Sequence, residues 1–153
     1  MDREGFNVLI REYSPRDIEW VLWIERACFP ENQQYNATTF HSLHVKDPNL
    51  FIVAEYQGVI IGYAVGERWG DVGRIVSIAV HPSYQGRGIG SKLLEALEEK
   101  MLTRGVKTVR LEVGVSNTPA INLYLKHGYE PINIIEGYYG EENALVMAKR
   151  IKD

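Results

Sequence analysis

The sequence predicts a mixed α+β fold, a sheet with helices on both sides, and three observations carry that prediction. Strand-like runs separated by turn residues follow one another between Leu50 and His81. Apolar residues recur at helical spacing from Gly88 to Arg104, and Val106 to Val115 alternates in the manner of a strand.

Taken in order, Phe6 to Glu12 alternates well enough for a first strand. Ser14-Pro15-x-Asp17 then reads as a helix start, with Ser14 at the cap, Pro15 at the first helical position and an acid in the first turn. Ile18, Val21, Leu22 and Cys28 give that helix an apolar stripe, and Pro30 lies just past its end. Asn36 to Lys46 suits a shorter second helix. Leu50 to Tyr56, Val59 to Trp69 and Gly73 to His81 are closed by Gln57-Gly58, Gly70-Asp71 and Pro82, which predicts an antiparallel meander. Ile89, Leu93, Leu94, Leu97 and Met101 form the stripe of the next helix, and Gly105 stops it. Along the following strand Val109, Leu111, Val113 and Val115 share one face, and Arg110 and Glu112 the other. Thr118-Pro119 starts a last helix that ends at Gly128, and strands near 129–137 and 143–151 finish the chain.

With 153 residues, 45% hydrophobic and 24% charged, the chain suits a single domain over 1–153 with one substantial core. The lone Cys28 excludes an internal disulfide and leaves no zinc spacing. His41, His44 and His81 show no ligand spacing either, so no metal is expected. Asp2, Arg3 and Glu4 precede any apolar run, and no stretch has the uninterrupted apolar length of a membrane span. Together with one free thiol, this points to a cytoplasmic protein without membrane association. A net charge of −3 argues against nucleic acid as a partner. Trp20 and Trp23 read as packing residues or partner contacts, and His127, at a helix C-terminus, as structural.

The strongest local signal is Gln85-Gly86-Arg87-Gly88-Ile89-Gly90-Ser91, set between a strand and a helix. Glycines there let the backbone approach a ligand closely, and free N–H groups at a helix start suit phosphate oxygens. The Gly-Lys-Ser/Thr ending of a P-loop is absent. A dinucleotide fingerprint fails because Ser91 stands where its last glycine belongs and an antiparallel meander precedes the loop.

The remaining pattern, Gln-x-x-Gly-x-Gly after Val80-His81-Pro82, resembles the pyrophosphate loop of the GNAT acetyltransferase superfamily. Asn117, Ala120, Leu123, Tyr124, Gly128 and Tyr129 are similar to its second motif, and the resemblance covers nearly the whole chain. It implies a GNAT-type three-layer sandwich around a central, mostly antiparallel, twisted sheet. It also implies acetyl-CoA as co-substrate, no metal, and a cofactor site built from Ile78, Ala79 and Val80, the loop Gln85 to Ser91, Asn117, Tyr124 and Lys126.

Further similarity points to one branch. Phe29-Pro30-Glu31-Asn32 looks like the Pro-Glu-Asn segment of the catalytic subunits that acetylate protein N-termini. Tyr138-Tyr139 with Glu142-Asn143-Ala144 and Met147 looks like the tail of that group and of RimI. Two departures stand out: Gln33-Gln34 separate the first segment from Tyr35, and Asn143 replaces the usual Asp. In that branch the two segments flank the entering peptide, which implies substrate contacts from Phe29, Pro30, Glu31, Tyr35, Glu112, Tyr138 and Tyr139. The branch also admits a ribosome or an auxiliary subunit as a partner.

The chemistry follows from the acceptor. A protein α-amine, with a pKa of about 7.7–8.0, is roughly one-tenth neutral at pH 7, so a modest base suffices. Glu112, twelve positions before Tyr124 as in RimI, is implied as that base, with Glu31 sharing the task or gripping the ammonium. Tyr124 matches the general acid that protonates the coenzyme A thiolate. On the residues alone, Glu112 reads as a solvated partner of Arg110, Glu31 as a loop charge and Tyr124 as a packing aromatic. The reading is therefore a protein Nα-acetyltransferase working by direct transfer in a ternary complex. Lysine or polyamine acetylation, or a non-catalytic acetyl-CoA-binding module, remain alternatives.

Overall fold

The computed structural model describes residues 7–153. Phe6 and the charged residues before it lie outside them, and the first strand, β1, runs over Leu9–Glu12. The other strands are β2 (Phe51–Tyr56), β3 (Val59–Trp69), β4 (Val72–Val80), β5 (Thr108–Gly114), β6 (Glu130–Tyr139) and β7 (Glu142–Arg150). The helices are α1 (Ile18–Cys28), α2 (Ala37–Lys46), α3 (Ile89–Thr103) and α4 (Thr118–Lys126). The strands form one seven-stranded sheet in the order β1-β2-β3-β4-β5-β7-β6, antiparallel at every pairing except β4 with β5.

Local chemistry explains the boundaries. Before α1, the Ser14 N–H donates to Asp17 Oδ2 at 2.9 Å, and Pro15–Asp17 make a tighter first turn. Asp17 is buried and receives two Arg11 N–H bonds of 2.9 Å, tying the helix entry to β1. Asn36 caps α2 by accepting from the Thr39 N–H, and Gly105 and Gly128 stop α3 and α4 with φ of +86° and +90°.

Alternation along the strands divides the core between the two faces. Ile52, Ala54, Ile61 and Ala64 point to the side covered by α3 and α4, with Leu93, Leu94, Leu97 and Tyr124. Phe51, Val53, Tyr63 and Val65 point to the other, where α1 and α2 supply Val21, Ile24 and Phe40. Helix, sheet and helix are the three layers the resemblance implies.

One placement differs from the strand pattern. Val115 is 43% exposed, because β5 ends at Gly114 and the chain there turns towards the Asn117 cap of α4. Another departure is a bulge in β4. Val65 pairs with Ser77 but Gly66 pairs with Ile75, so Val76 is an extra residue. Val76 and Ser77 consequently turn to the same face, Val76 packing on the α1–α2 cluster and Ser77 bonding Tyr63 at 2.8 Å.

Close packing beside the bulge makes it testable. A Cβ on Gly66 would lie 2.9 Å from the Arg74 carbonyl oxygen and 2.5 Å from the end of Met101. The methionine can swing away, but the neighbouring strand cannot. Gly66→Ala is therefore expected to destabilise the protein by roughly 1–3 kcal/mol, read as a lower urea midpoint.

Candidate functional site

The site begins where two paired strands part. β4 and β5 are in register only from Val72↔Thr108 to Ile75↔Leu111. Past that point β4 stays with β3 as far as Val80, and β5 stays with β7 as far as Gly114. The His81 N–H donates to Ile61 O at 2.9 Å, which makes that pair the bonded kind. Alternation along an antiparallel ladder then leaves Gly62–Val80 and Ala64–Ile78 unbonded, so the N–H groups of Ile78 and Val80 face the gap. A gap lined by backbone donors is suited to hold a polar chain or an oxyanion.

On one side the gap opens into a groove of about 630 Å³ between β4, the loop after it and α4. Gly86 and Gly88 have φ of +79° and +81°, and a Cβ on either would meet nothing within 4 Å, so it is backbone conformation that requires glycine. Gln85 Nε2 donates to Val80 O at 2.8 Å and fastens the loop to the strand. The first α-helical bond of α3 is Lys92 N–H to Gly88 O at 3.1 Å, which leaves the N–H groups of Ile89, Gly90 and Ser91 without an acceptor inside the helix. Three donors at a helix N-terminus facing a groove suit a phosphate. Ser91 Oγ is 2.9 Å from His127 Nε2, which joins the start of α3 to the end of α4. Ile78, Ala79, Val80, Asn117, Tyr124 and Lys126 line this groove with the loop residues, whereas Arg87 is exposed and does not. Asn117 Oδ1 accepts from the Ala120 N–H, so it caps α4 as well. Cys28, on the apolar stripe of α1, is half-buried at the groove wall, where its Sγ donates to Val80 O at 3.2 Å.

On the other side lies a small cavity of about 60 Å³. Phe29, Ile78, Asn117, Ala120 and Tyr124 line both spaces, so the two meet at Tyr124. That tyrosine is buried against Tyr129, and burial raises its hydroxyl above the usual range. Tyr35, Tyr139 and Glu112 line the cavity as expected. Glu112 is not a solvated partner of Arg110. Its side chain is 7% exposed, and Oε1 accepts from Arg74 Nε at 2.8 Å, while Arg110 stays 3.8 Å from Oε2. Arg74 also bonds Glu67 at 2.8 Å. Tyr138 sits at the rim, 41% exposed, its hydroxyl 3.5 Å from Glu112 Oε1.

Glu31 and Pro30 are both exposed, and neither lines either space. In the turn Glu31–Gln33 the inward bonds are made by the next two residues. Asn32 Nδ2 donates to Tyr139 O at 3.1 Å, and Gln33 Nε2 donates to Glu142 Oε1 at 3.2 Å. Glu142 also accepts from the Ser116 N–H and hydroxyl, which hold its carboxyl below the usual range. Gly114 permits this, since a Cβ there would fall 2.5 Å from Glu142 Oε2.

Sequence reasoning missed Arg74, Gln33, Ser77 and Glu25. The last lines the cavity from α1 and is 1% exposed. Its signal was present: Glu25 continues the stripe of Ile18, Val21 and Leu22, where a carboxylate is out of place. Among the described residues, no group of three or more His, Cys, Asp or Glu is placed to hold a metal.

Residues 16–129 match the model of the acetyltransferase (GNAT) family. The chain belongs to that family. It is an N-acetyltransferase with acetyl-CoA as co-substrate, and the groove with its glycine loop fits that ligand. The N-alpha-acetyltransferase of Sulfurisphaera tokodaii is 35% identical, with 95% of both chains covered. Ard1 from Thermoplasma volcanium superposes with a TM-score of 0.90 at 31% identity, covering 95% of this chain and 99% of that one. The ribosomal-protein-S18-alanine N-acetyltransferase of Escherichia coli gives 0.82 at 30% identity, with 96% of each chain covered.

The loop geometry generates a prediction for the co-substrate. In Gly88→Ala the left-handed conformation costs about 1–2 kcal/mol. The free loop would relax and have to recover its shape on binding. Calorimetry is expected to show acetyl-CoA affinity lowered about tenfold, with the fold intact.

Proposed function

We propose that this protein acetylates the free α-amine of protein or peptide N-termini. The observation that carries this reading is the closed acceptor side of the gap. The Asn32–Tyr139 and Gln33–Glu142 bonds join the α1–α2 loop to the β6–β7 hairpin over a small cavity. Such a space suits a chain end and obstructs a chain running through in both directions. The name of the Sulfurisphaera tokodaii relative supports the same acceptor.

In this reading the groove holds acetyl-CoA, with its diphosphate at the N–H groups of the Gln85–Ser91 loop and its pantetheine arm along Ile78, Ala79 and Val80. Asn117 and Lys126 border it from α4. The thioester lies where the two spaces meet. The neutral amine attacks the carbonyl carbon, and the developing oxyanion is met by backbone N–H groups near Val80. When the C–S bond breaks, the Tyr124 hydroxyl gives its proton to sulfur. A tyrosine whose hydroxyl is raised by burial holds that proton until a thiolate forms. Tyr35, Tyr138 and Tyr139 wall the first residues of the peptide, with Phe29 beside them. Glu112, braced by Arg74, draws the ammonium in.

Residues 1–153 then act as one domain in the cytoplasm, away from nucleic acid and membranes, with a ribosome or an auxiliary subunit as the means of presenting substrates. Among the described residues no helix is long and apolar enough to cross a membrane.

Two measurements test the proposal. A peptide carrying both a free N-terminus and an internal lysine is expected to be acetylated first at the terminus. The lysine, with a pKa near 10.4 against about 7.7–8.0, costs about 3 kcal/mol more to neutralise at pH 7. Mass spectrometry showing predominant lysine modification across several first residues would replace this acceptor with lysine. Separately, Tyr124→Phe is expected to lower kcat by about 10²–10⁴-fold with acetyl-CoA affinity unchanged. Undiminished turnover would mean that the thiolate leaves without this proton.

A further inference from the structure

Glu25 is a buried carboxyl group that pairs with no cation among the described residues. Its Oε2 accepts from the Tyr35 N–H at 2.9 Å, and its Oε1 accepts from the Tyr63 hydroxyl, which in turn lies 2.8 Å from Ser77 Oγ. Among the described residues no lysine, arginine or histidine forms a salt bridge with it. Placing an unpaired carboxylate in a protein interior is costly. A glutamine would satisfy the Tyr35 N–H and the Tyr63 hydroxyl without that cost, so fastening α1 to the α1–α2 loop does not by itself require charge. Each oxygen accepts one of these two bonds, and a carboxylate has about four lone-pair sites, so acceptor capacity is left over. The side chain also lines the acceptor cavity. The other carboxylate there, Glu112, is already paired with Arg74.

We infer that Glu25 is a further catalytic residue, which receives the acceptor ammonium in the cavity and takes its first proton. This rests on reading the cavity as the acceptor site. The N–H bond of the ammonium breaks as an O–H bond forms on Glu25, and the freed nitrogen lone pair attacks the thioester carbon. After attack the nitrogen loses a second proton, which replaces the one Tyr124 gives to sulfur. The proton on Glu25 returns to solvent as products leave. One ammonium and one thioester thus become one amide, one thiol and one proton. The groups facing Glu25 are the Cys28 thiol on its own helix, Tyr35 from the loop, Tyr63 from β3 and Ser77 from β4, with Glu112 across the cavity from β5. Burial raises the Glu25 carboxyl above the usual range, partly offset by the Tyr35 and Tyr63 bonds, and a raised carboxyl is a better match to an amine.

The test compares Glu25→Gln with wild type on whichever amine wild type acetylates among an N-terminal peptide, an N-blocked lysine peptide and a polyamine. An error in the acceptor class then shows in wild type alone and leaves the comparison intact. Glu25→Gln is expected to lose about 10²-fold in kcat/KM at pH 7 with acetyl-CoA affinity unchanged. On a peptide α-amine the deficit should shrink above about pH 8, where that amine arrives neutral without help. Stability supplies a second readout with its own sign. A carboxyl raised in the folded state binds more protons folded than unfolded, so wild-type stability falls as pH rises from the ordinary carboxyl range through the raised value. Glu25→Gln lacks that fall and should be no less stable than wild type at neutral pH. Wild-type activity in this variant, or a deficit equal at every pH, would overturn the inference. If the variant does not fold, Tyr63→Phe decides: losing a bond that lowers the Glu25 carboxyl should move the acidic limb of kcat to higher pH, and an unmoved limb overturns the assignment.

Discussion

β4 and β5 share a ladder for four residue pairs and then diverge, and the chemistry of the molecule is set in the space between them. Neither strand is loose there. Each remains paired along its outer edge, β4 to β3 and β5 to β7, so the gap has rigid walls. A sheet interior normally leaves no backbone donor unmatched. Here the N–H groups of Ile78 and Val80 are turned to a gap that a ligand can fill. Their alignment is fixed by strand geometry before any ligand arrives, and a preorganised donor needs no reorganisation when charge develops.

The two spaces beside the gap differ in what holds them. The larger groove is shaped by backbone: two left-handed glycines, a helix start with three free N–H groups, and the Gln85 bond that fastens loop to strand. The smaller cavity is shaped by side chains that link distant parts of the chain. Asn32 and Gln33 reach across to the β6–β7 hairpin, and Arg74 braces Glu112 from β4. Backbone walls suit a ligand common to a whole family. Side-chain walls can change with single substitutions, as acceptor preference requires. Tyr124, on α4, lines both spaces, and in the proposed reading its hydroxyl acts on a bond that lies between them.

Much of this was legible in the chain. The meander, the stripe of α3 and the loop Gln85–Ser91 are local signals, because periodicity and turn chemistry depend on residues close in sequence. The parting of β4 and β5 was not legible, since it depends on register between residues about 36 apart, such as Val72 and Thr108, and on a bulge that no turn residue marks. The closer partner of Glu112 was hidden for a similar reason. Arg110 is near in sequence on the same strand, but Arg74 on the adjacent parallel strand makes the closer bond. Glu31 drew attention through a motif, yet the turn that carries it gives the inward positions to Asn32 and Gln33. Glu25 was visible as a charge on an apolar stripe. Its meaning depended on Tyr35, Tyr63 and Ser77, which lie 10, 38 and 52 residues further on.

Several of the places where the chain breaks local rules share a location. Glycines at positive φ occur in ordinary turns, such as Gly58 and Gly70, but two of them lie together in the loop beside the gap. The bulge at Val76, the unbonded N–H groups of β4 and the uncompensated Glu25 all face the same region. Each of these lowers stability relative to a regular alternative: a continuous ladder, a capped helix, a buried amide. The rest of the molecule offsets that cost with two apolar clusters on opposite faces of the sheet, each of whose fully buried aliphatic side chains contributes roughly 1.5–3 kcal/mol. Several departures gathered around one gap are what a site of chemistry looks like in a folded chain. By that criterion Glu25 belongs with the glycine loop and the open strand edge. The buried Asp17 is paired with the partly exposed Arg11, and that pair serves the fold. In the proposed reading Glu25 is a buried carboxylate left for a ligand to cancel, and the cavity it faces is where the ammonium arrives.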